Sequence, residues 1–272
     1  MEISVIIPTY RPASYLVDCL RSLQAQTIDH SVFEILIILN GPKESYEFFI
    51  QDLVKKYLND IVVKVFYTDK ASVSNARNIG IDNAAGKFLT FIDDDDYVSP
   101  TYLLEMYEIA CENIVPLTNI LAFNDLDNSI VEYGISTQYK LKCKDVHLSQ
   151  YKVRAYFSVP VCKLIRKDII GERRFNCCFK NSEDALFMLA ISDKINDMAF
   201  TSSKAIYYRR IRNNSATTKK RSFFYLLGED CKILIEVSKI WWGHPFEYNL
   251  WLFLTRPLAL LKAMYYSFLN KY

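Results

Sequence analysis

Short apolar runs alternate with amphipathic stretches along the first hundred residues. Residues 3–7 form one apolar run, which Pro8 is expected to stop, and residues 33–39 form another, closed by the turn signal Asn40-Gly41-Pro42. Residues 61–67 and 88–92 give a third and a fourth strand. Between them, residues 13–24 place Leu16, Leu20 and Leu23 on one helical face. Residues 45–58 and 74–85 also read as helices, the second with Gly86 as its expected C′ glycine. Strands that alternate with helices predict an α/β fold, its mostly parallel sheet flanked by helices. Ligands of such sheets bind at the carboxyl ends of the strands. Pro8-Thr9-Tyr10, Asn40-Gly41 and Asp93-Asp94-Asp95-Asp96 all fall at those ends, so three loops are expected to converge on one edge.

Beyond Pro100 the pattern loosens. Residues 101–111 and 181–192 read as helices, and 120–124 and 129–133 as strands. Residues 222–272 are helical in character, with breaks at Gly243-His244-Pro245 and Arg256-Pro257. The expected division is a main domain over 1–221, with a regular half (1–100) and a looser half (101–221), followed by a helical extension over 222–272.

Composition narrows the reading. Half of the 272 residues are hydrophobic, enough for a sizeable core. A formal net charge of +2 argues against a dedicated nucleic-acid binder. The charges are unevenly spread, however. Residues 204–221 hold Lys204, Arg209, Arg210, Arg212, Lys219, Lys220 and Arg221 with no acidic residue, against four consecutive aspartates at Asp93 to Asp96. That separation suits an ionic ligand, with a metal at one end and phosphate near the other. The seven cysteines include no C-x-x-C pair, so neither a disulfide framework nor a zinc knuckle is indicated. A reducing compartment fits, and the start of the chain has neither the basic nor the apolar region of a signal peptide, so a cytoplasmic location is expected.

A run of aspartates is ordinarily a solvated surface feature. Here it follows an apolar strand directly, and adjacent carboxylates repel one another unless a cation joins them. Their oxygens are hard ligands suited to Mg²⁺ or Mn²⁺, and such an ion stabilises a diphosphate leaving group.

Three blocks together resemble the family 2 glycosyltransferases of the GT-A fold, in particular those of bacterial polysaccharide assembly. They are Ser4-Val5-Ile6-Ile7-Pro8-Thr9-Tyr10; Ser74-Asn75-Ala76-Arg77-Asn78-Ile79-Gly80 with residues 85–96; and Lys163-Leu164-Ile165-Arg166 with Ser182-Glu183-Asp184. The resemblance implies an inverting enzyme that moves a hexosyl or N-acetylhexosaminyl group from a nucleotide-sugar to a hydroxyl of a glycan or lipid-linked glycan. It makes residues 1–100 the nucleotide-sugar half and 101–221 the acceptor half. Pro8, Thr9, Tyr10, Asn40, Arg77, Asp93, Asp94 and Arg212 would bind the donor. Asp93 and Asp95 would form the metal-binding DXD pair, and Asp184 would be the catalytic base. Arg209, Arg212 and Ser215 would lie in a segment that closes over the donor phosphates. The sequence departs from the family's pattern at Leu39, which stands where an aspartate commonly reads uracil. Asn40 is the neighbouring group able to replace that contact, and a UDP-linked donor is still expected.

Two rivals fit less well. A sugar-nucleotidyltransferase should carry a glycine-rich loop after its first strand, and Pro8-Thr9-Tyr10-Arg11-Pro12 has no glycine. A non-catalytic member would lack Asp95 or Asp184, and both are present. Plain structural roles are available for several residues. Arg77 could be a surface or ion-paired arginine, Glu183 and Asp184 could answer a helix dipole, and Tyr207-Tyr208 and Trp241-Trp242 read as core or interface residues. His30, His147 and His244 lie outside every block. The apolar run in the tail is too short to span a bilayer. Its Trp, Tyr, Lys and Arg suit a helix lying at a membrane interface, and equally one packed on the main domain.

Overall fold

The computed structural model describes residues 1–110, 114–145, 148–212, 223–255 and 257–258. Four parallel strands form the centre: β1 (Ile3–Thr9), β2 (Phe33–Asn40), β3 (Val62–Thr68) and β4 (Phe88–Phe91). Every residue of β1, β2 and β4 is buried, as expected for strands covered on both faces. Each such Ile, Val or Phe contributes roughly 1.5–3 kcal/mol of apolar burial. β3 is an edge strand, which leaves Val62, Val65 and Tyr67 exposed. The proline at position 8 does not end β1. Its ring is tolerated and the strand continues to Thr9, which pairs with Leu39.

Three helices connect these strands: α1 (Tyr15–Gln24), α2 (Glu44–Tyr57) and α3 (Val73–Asn83). α1 buries Leu16, Leu20 and Leu23 as its spacing predicts, with Cys19 beside them. Ser72 caps α3 by accepting the Asn75 N–H at 3.3 Å. Gly86 is not the C′ residue of α3. The helix ends in extended backbone at Ala84, and Gly86 has no positive φ. The glycine is required by packing instead, because a Cβ there would lie 2.6 Å from the Ser4 backbone nitrogen. Glu34 secures this approach by accepting hydrogen bonds from Ser4 (2.7 Å) and the Ala85 N–H (2.6 Å).

β9 (Ile165–Arg166) joins the sheet antiparallel to β4, giving the order β3-β2-β1-β4-β9. The chain winds from β1 outward through β2 to β3, then returns to the other side of β1 as β4. That reversal opens a crevice beyond the carboxyl ends of β1 and β4. A second sheet stands against this edge. It consists of β5 (Tyr97–Val98), β11 (Ile206–Ile211), β7 (Asn119–Asn124) and β8 (Ile130–Val131), in that order. β6 (Ile114–Leu117) pairs separately with β10 (Asp197–Phe200). The helices of this half are α4 (Tyr102–Ile109), α5 (Gly134–Lys142), the short α6 (Lys167–Ile170) and α7 (Glu183–Ala190).

The chain then continues as α8 (Phe223–Gly243), followed by helical residues 250–255. α8 packs on α7, and the Tyr248 hydroxyl donates to the Ala190 carbonyl at 3.1 Å. One face of this segment, with Ile233, Val237, Leu252 and Phe253, is therefore buried. The opposite face leaves Ile235, Trp242, Phe246 and Trp251 exposed. No described helix is long and apolar enough to cross a membrane.

Candidate active site

The four aspartates share a turn but have four different environments. Asp93 accepts from Arg77 Nη2 at 3.0 Å. Asp94 accepts from the Thr9 hydroxyl across the β1/β4 crevice. Asp95 is paired with Arg212 Nη2 at 2.6 Å. Asp96 is buried, taking the Tyr207 hydroxyl at 2.7 Å and the Arg210 N–H at 2.8 Å. The turn is thus locked from β11. Tyr207 also accepts the Asp93 N–H at 3.1 Å, and Arg210 Nε donates to the Asp95 carbonyl at 2.9 Å. Asp96 serves as a brace, which leaves Asp93, Asp94 and Asp95 facing the crevice.

These three carboxyls exceed the positive charge beside them. Burial, with repulsion from Asp95 and Asp93, raises Asp94 to about 7 against the lowering effect of the Thr9 hydrogen bond. Burial and Asp93 also push Asp95 up, opposed by Arg212. A divalent cation would relieve this strain, and hard carboxylate oxygens suit Mg²⁺ or Mn²⁺. Among the described residues no three His, Cys, Asp or Glu side chains are grouped to cage an ion. A magnesium-type site needs only one or two carboxylates when phosphates complete it. The residues therefore fit a metal shared with a bound diphosphate. The Nε atoms of Arg77 and Arg212 are buried with no hydrogen-bond partner among the described residues. Two orphaned guanidinium donors beside the acidic turn suit phosphate oxygens.

Arg77 joins the aspartate turn to the far side of the cleft. It projects from the buried face of α3, and its Nη1 donates to Asp184 Oδ1 at 2.5 Å while Nη2 holds Asp93. Its guanidinium lies 5.3 Å from the Phe175 ring centroid, and Phe175 stacks at 3.9 Å on Phe187 of α7. Arg77 is therefore a buried bridge between two carboxylates, which rules out a surface role. Asp184 sits in the first turn of α7, after Ser182 in a left-handed conformation (φ 63°). Such backbone is uncommon for a non-glycine residue and concentrates at functional sites. Burial raises the Asp184 carboxyl above its usual range, with Arg77 pulling the other way. A carboxylate raised by burial is a stronger proton acceptor than an exposed one, the helix N-terminus favours its ionised form, and 24% of its side chain remains accessible.

The remaining expected donor residues line the β1/β2 end. Pro8 and Thr9 are buried, whereas Tyr10 is exposed. The Tyr10 ring packs on Gly41, whose φ of 109° and lack of Cβ permit the contact. Leu39 is buried inside β2, away from any polar role. Asn40 is buried too, and its Nδ2 donates to the Thr9 carbonyl at 2.8 Å. Arg212 lies 4.7 Å over Tyr15 while it holds Asp95, whereas Arg209 turns to the opposite face of β11 and donates to the Tyr133 hydroxyl at 2.5 Å. Ser215, Lys219, Lys220 and Arg221 lie outside the described residues, as does His147. His30 pairs with Asp60 and His244 with Glu247, both away from the cleft.

Several contributors carry no local signal in the sequence. Tyr15, Phe175 and Tyr207 are ordinary aromatic positions whose roles follow from long-range contacts. Tyr207 and Arg209 do alternate with Tyr208 and Arg210, a strand signature that puts Tyr207 and Arg210, which both brace the turn, on opposite faces.

The sequence profile of Glycosyl transferase family 2 matches residues 4–174. The poly(ribitol-phosphate) beta-N-acetylglucosaminyltransferase TarS of Staphylococcus aureus is 23% identical over 84% of this chain and 39% of its own length. A Campylobacter jejuni GalNAc(5)-diNAcBac-PP-undecaprenol beta-1,3-glucosyltransferase is 26% identical over 88% of this chain and 74% of its own. The chain spans 32% of a Bacillus spizizenii poly(ribitol-phosphate) beta-glucosyltransferase, at 26% identity over 76% of this chain. The crystal structure of S. aureus TarS 1–349 in complex with UDP-GlcNAc superposes with a TM-score of 0.68 and 24% identity, covering 87% of this chain and 66% of that one. That likeness establishes the GT-A fold. With the crevice, the aspartate turn and more than half of the chain inside the family profile, this protein belongs to glycosyl transferase family 2.

Proposed function

We propose that the chain transfers a hexosyl or N-acetylhexosaminyl group from a UDP-sugar to an acceptor hydroxyl, with inversion, during assembly of a cell-envelope polysaccharide or glycolipid. The observation that carries this reading is the Arg77 bridge, which sets the raised carboxyl of Asp184 across the cleft from Asp93. Asp184 is a partly accessible carboxylate on the far side, placed to take a proton from the attacking hydroxyl. Arg77 orients it and spreads positive charge towards the departing diphosphate. Arg212, directly after β11, meets the phosphates. Thr9 and Asp94 line the floor of the donor crevice, Tyr10 and Asn40 its nucleoside end. Asp93 and Asp95 would hold Mn²⁺ or Mg²⁺, which supplies Lewis-acid stabilisation of the leaving diphosphate when bound.

Support for UDP comes from the TarS complexes with UDP-GlcNAc and with UDP. Those relatives act on poly(ribitol-phosphate) or a lipid-linked glycan, which favours an acceptor of that kind. The exposed Trp242, Phe246 and Trp251 support peripheral contact with the inner membrane face, where a lipid-linked acceptor would be presented. A screen of nucleotide-sugars with Mn²⁺, detecting released nucleoside diphosphate, tests the function. UDP release that chelator abolishes is the expected result, whereas release from every donor unaffected by chelator contradicts it.

A further inference from the structure

Lys163 is buried with only 2% of its surface exposed, and no described carboxylate forms an ion pair with it. All three ammonium protons go to backbone carbonyls: Tyr156 at 3.0 Å, Val159 at 2.7 Å and Val161 at 2.8 Å. An ammonium buried this way is costly to desolvate, so a structural purpose alone would be served more cheaply by a neutral donor. Its surroundings show what the charge faces. The three carbonyls belong to the 3-10 turn Arg154–Ser158 and the loop after it, and α7 packs directly on that turn. Lys163 and Asp184 also act on each other electrostatically, each favouring the charged form of the other.

The loop lies beside the cleft. β9 runs antiparallel to β4 with Ile165 opposite Leu89, so the residues before Ile165 run towards the carboxyl end of β4, where Asp93 begins. Cys162, in a left-handed conformation (φ 65°), feels the charges of both Asp93 and Asp96. Its carbonyl is held by the Thr118 N–H at 3.0 Å. Residues 154–162 thus form a wall that meets α7 at its 3-10 turn and runs alongside the end of β4 at Cys162, and one ammonium ties that wall together.

We infer that Lys163 is a positioning residue for the base: by gathering the carbonyls of Tyr156, Val159 and Val161 it fixes the wall against which α7 presents Asp184. The inference rests on Asp184 being the base, and it concerns the acceptor step, leaving donor binding untouched. Burial pushes the Lys163 ammonium down to about 8, opposed by Cys162 and Asp184. A neutral amine has two protons for three carbonyls, so the wall should loosen as this proton leaves. Burial raises Cys162 and Tyr156 above this range, so neither titrates between pH 7 and 9.5.

The experiment measures transfer and UDP affinity with Mg²⁺ from pH 7 to 9.5 for the wild type, Lys163→Met and Lys163→Gln. In the wild type, kcat for transfer should fall through an alkaline limb centred near 8 while UDP affinity stays level. Folded Lys163→Met should lose transfer on the order of 10- to 100-fold, the effect of a base displaced by about 1 Å, with UDP affinity unchanged. Lys163→Gln, with two N–H donors and no charge, should lie between the two and lack the alkaline limb. If Lys163→Met does not fold, the wild-type limb and Lys163→Gln decide the matter. An alkaline limb that persists in Lys163→Gln, or UDP affinity that falls in step with transfer, overturns the inference. Asp184→Asn measured alongside separates the two readings. Full activity in that variant removes the base itself, whereas an inactive Asp184→Asn beside an unaffected Lys163→Gln removes only the positioning role.

Discussion

The aspartate turn after β4 and the first turn of α7 meet across Arg77, but their supports differ in number and kind. On the turn each carboxylate has its own partner from another element: Arg77 for Asp93, Thr9 for Asp94, Arg212 for Asp95, and Tyr207 with the Arg210 N–H for Asp96. The start of α7 has a strained Ser182, no side-chain cap, and the Arg77 guanidinium as the direct partner of Asp184. The turn is over-determined, as a site must be if it receives a highly charged donor without rearranging. The proposed base has Arg77 as its side-chain partner, and burial raises its carboxyl while 24% of the side chain stays accessible. Metal and donor binding should therefore depend on the turn, and proton transfer on α7, with Arg77 shared between them.

The largest expected effect separates these roles. Asp184→Asn should cost roughly 10²- to 10⁴-fold in transfer rate, the usual worth of general-base assistance, and leave UDP affinity near normal. Asp95→Ala should instead lose metal-dependent UDP binding. Calorimetry with UDP and Mn²⁺, set beside turnover, reads both. Loss of UDP binding in Asp184→Asn would erase the distinction between the two regions.

A pH effect comes next. Asp94 titrates near 7 in the folded chain against 3.8 ordinarily, with burial the main cause. Its folded value lies above the unfolded one, so the folded state binds the extra proton between those limits. Metal-free stability should thus fall as pH rises from about 4 to about 7, on the order of a few kcal/mol for this group. Asp94→Asn removes that contribution. Melting curves in chelator should show a shallower decline for the variant, and identical pH slopes would mean the turn carries no surplus charge.

Asn40→Ala should weaken UDP by about 1–3 kcal/mol, the cost of a buried donor left unpaired. The Nδ2 of Asn40 is committed to Thr9, so the amide oxygen is the end a uracil N–H would meet. Titration with UDP, GDP, CDP and dTDP checks this, and tightest binding of GDP would refute the uridine assignment. The smallest effect concerns the exposed face of the extension. Vesicles containing anionic lipid should retain the protein, with each nearby basic residue adding about 1 kcal/mol that salt screens. Replacing Trp242 and Trp251 by Ser should reduce retention without moving the melting temperature, because both side chains point away from the packed face. Unchanged retention would leave that face without a lipid role.

The regular half was legible because its signals are local. β1, β2 and β4 are continuous apolar runs, and α1 shows its buried face within ten residues. Pro8 and Gly86 misled for a related reason. Each is a strong local punctuator, but inter-strand pairing overrode the first and close packing on Ser4 explains the second. The second half depends on distant pairing. β5 and β9 are two residues long and exist only because β11 and β4 lie beside them, and no periodicity window detects such strands. The site shows the same divide. Resemblance grouped Arg77, Asp93 and Asp184, but the contacts that join them span 16 and 107 residues. Four identical letters at 93–96 also gave no sign that Asp96 is a brace and the others face the crevice. Partners on β11 and β1 decide that.

The configuration of the product tests the central claim most directly. In the proposed mechanism Asp184, across the cleft from Asp93, takes the acceptor proton and the acceptor oxygen displaces the diphosphate in one step. Proton NMR of fresh product should therefore show an anomeric signal of opposite configuration to the donor. A product that retains the donor's configuration would contradict single displacement and the role given to Asp184.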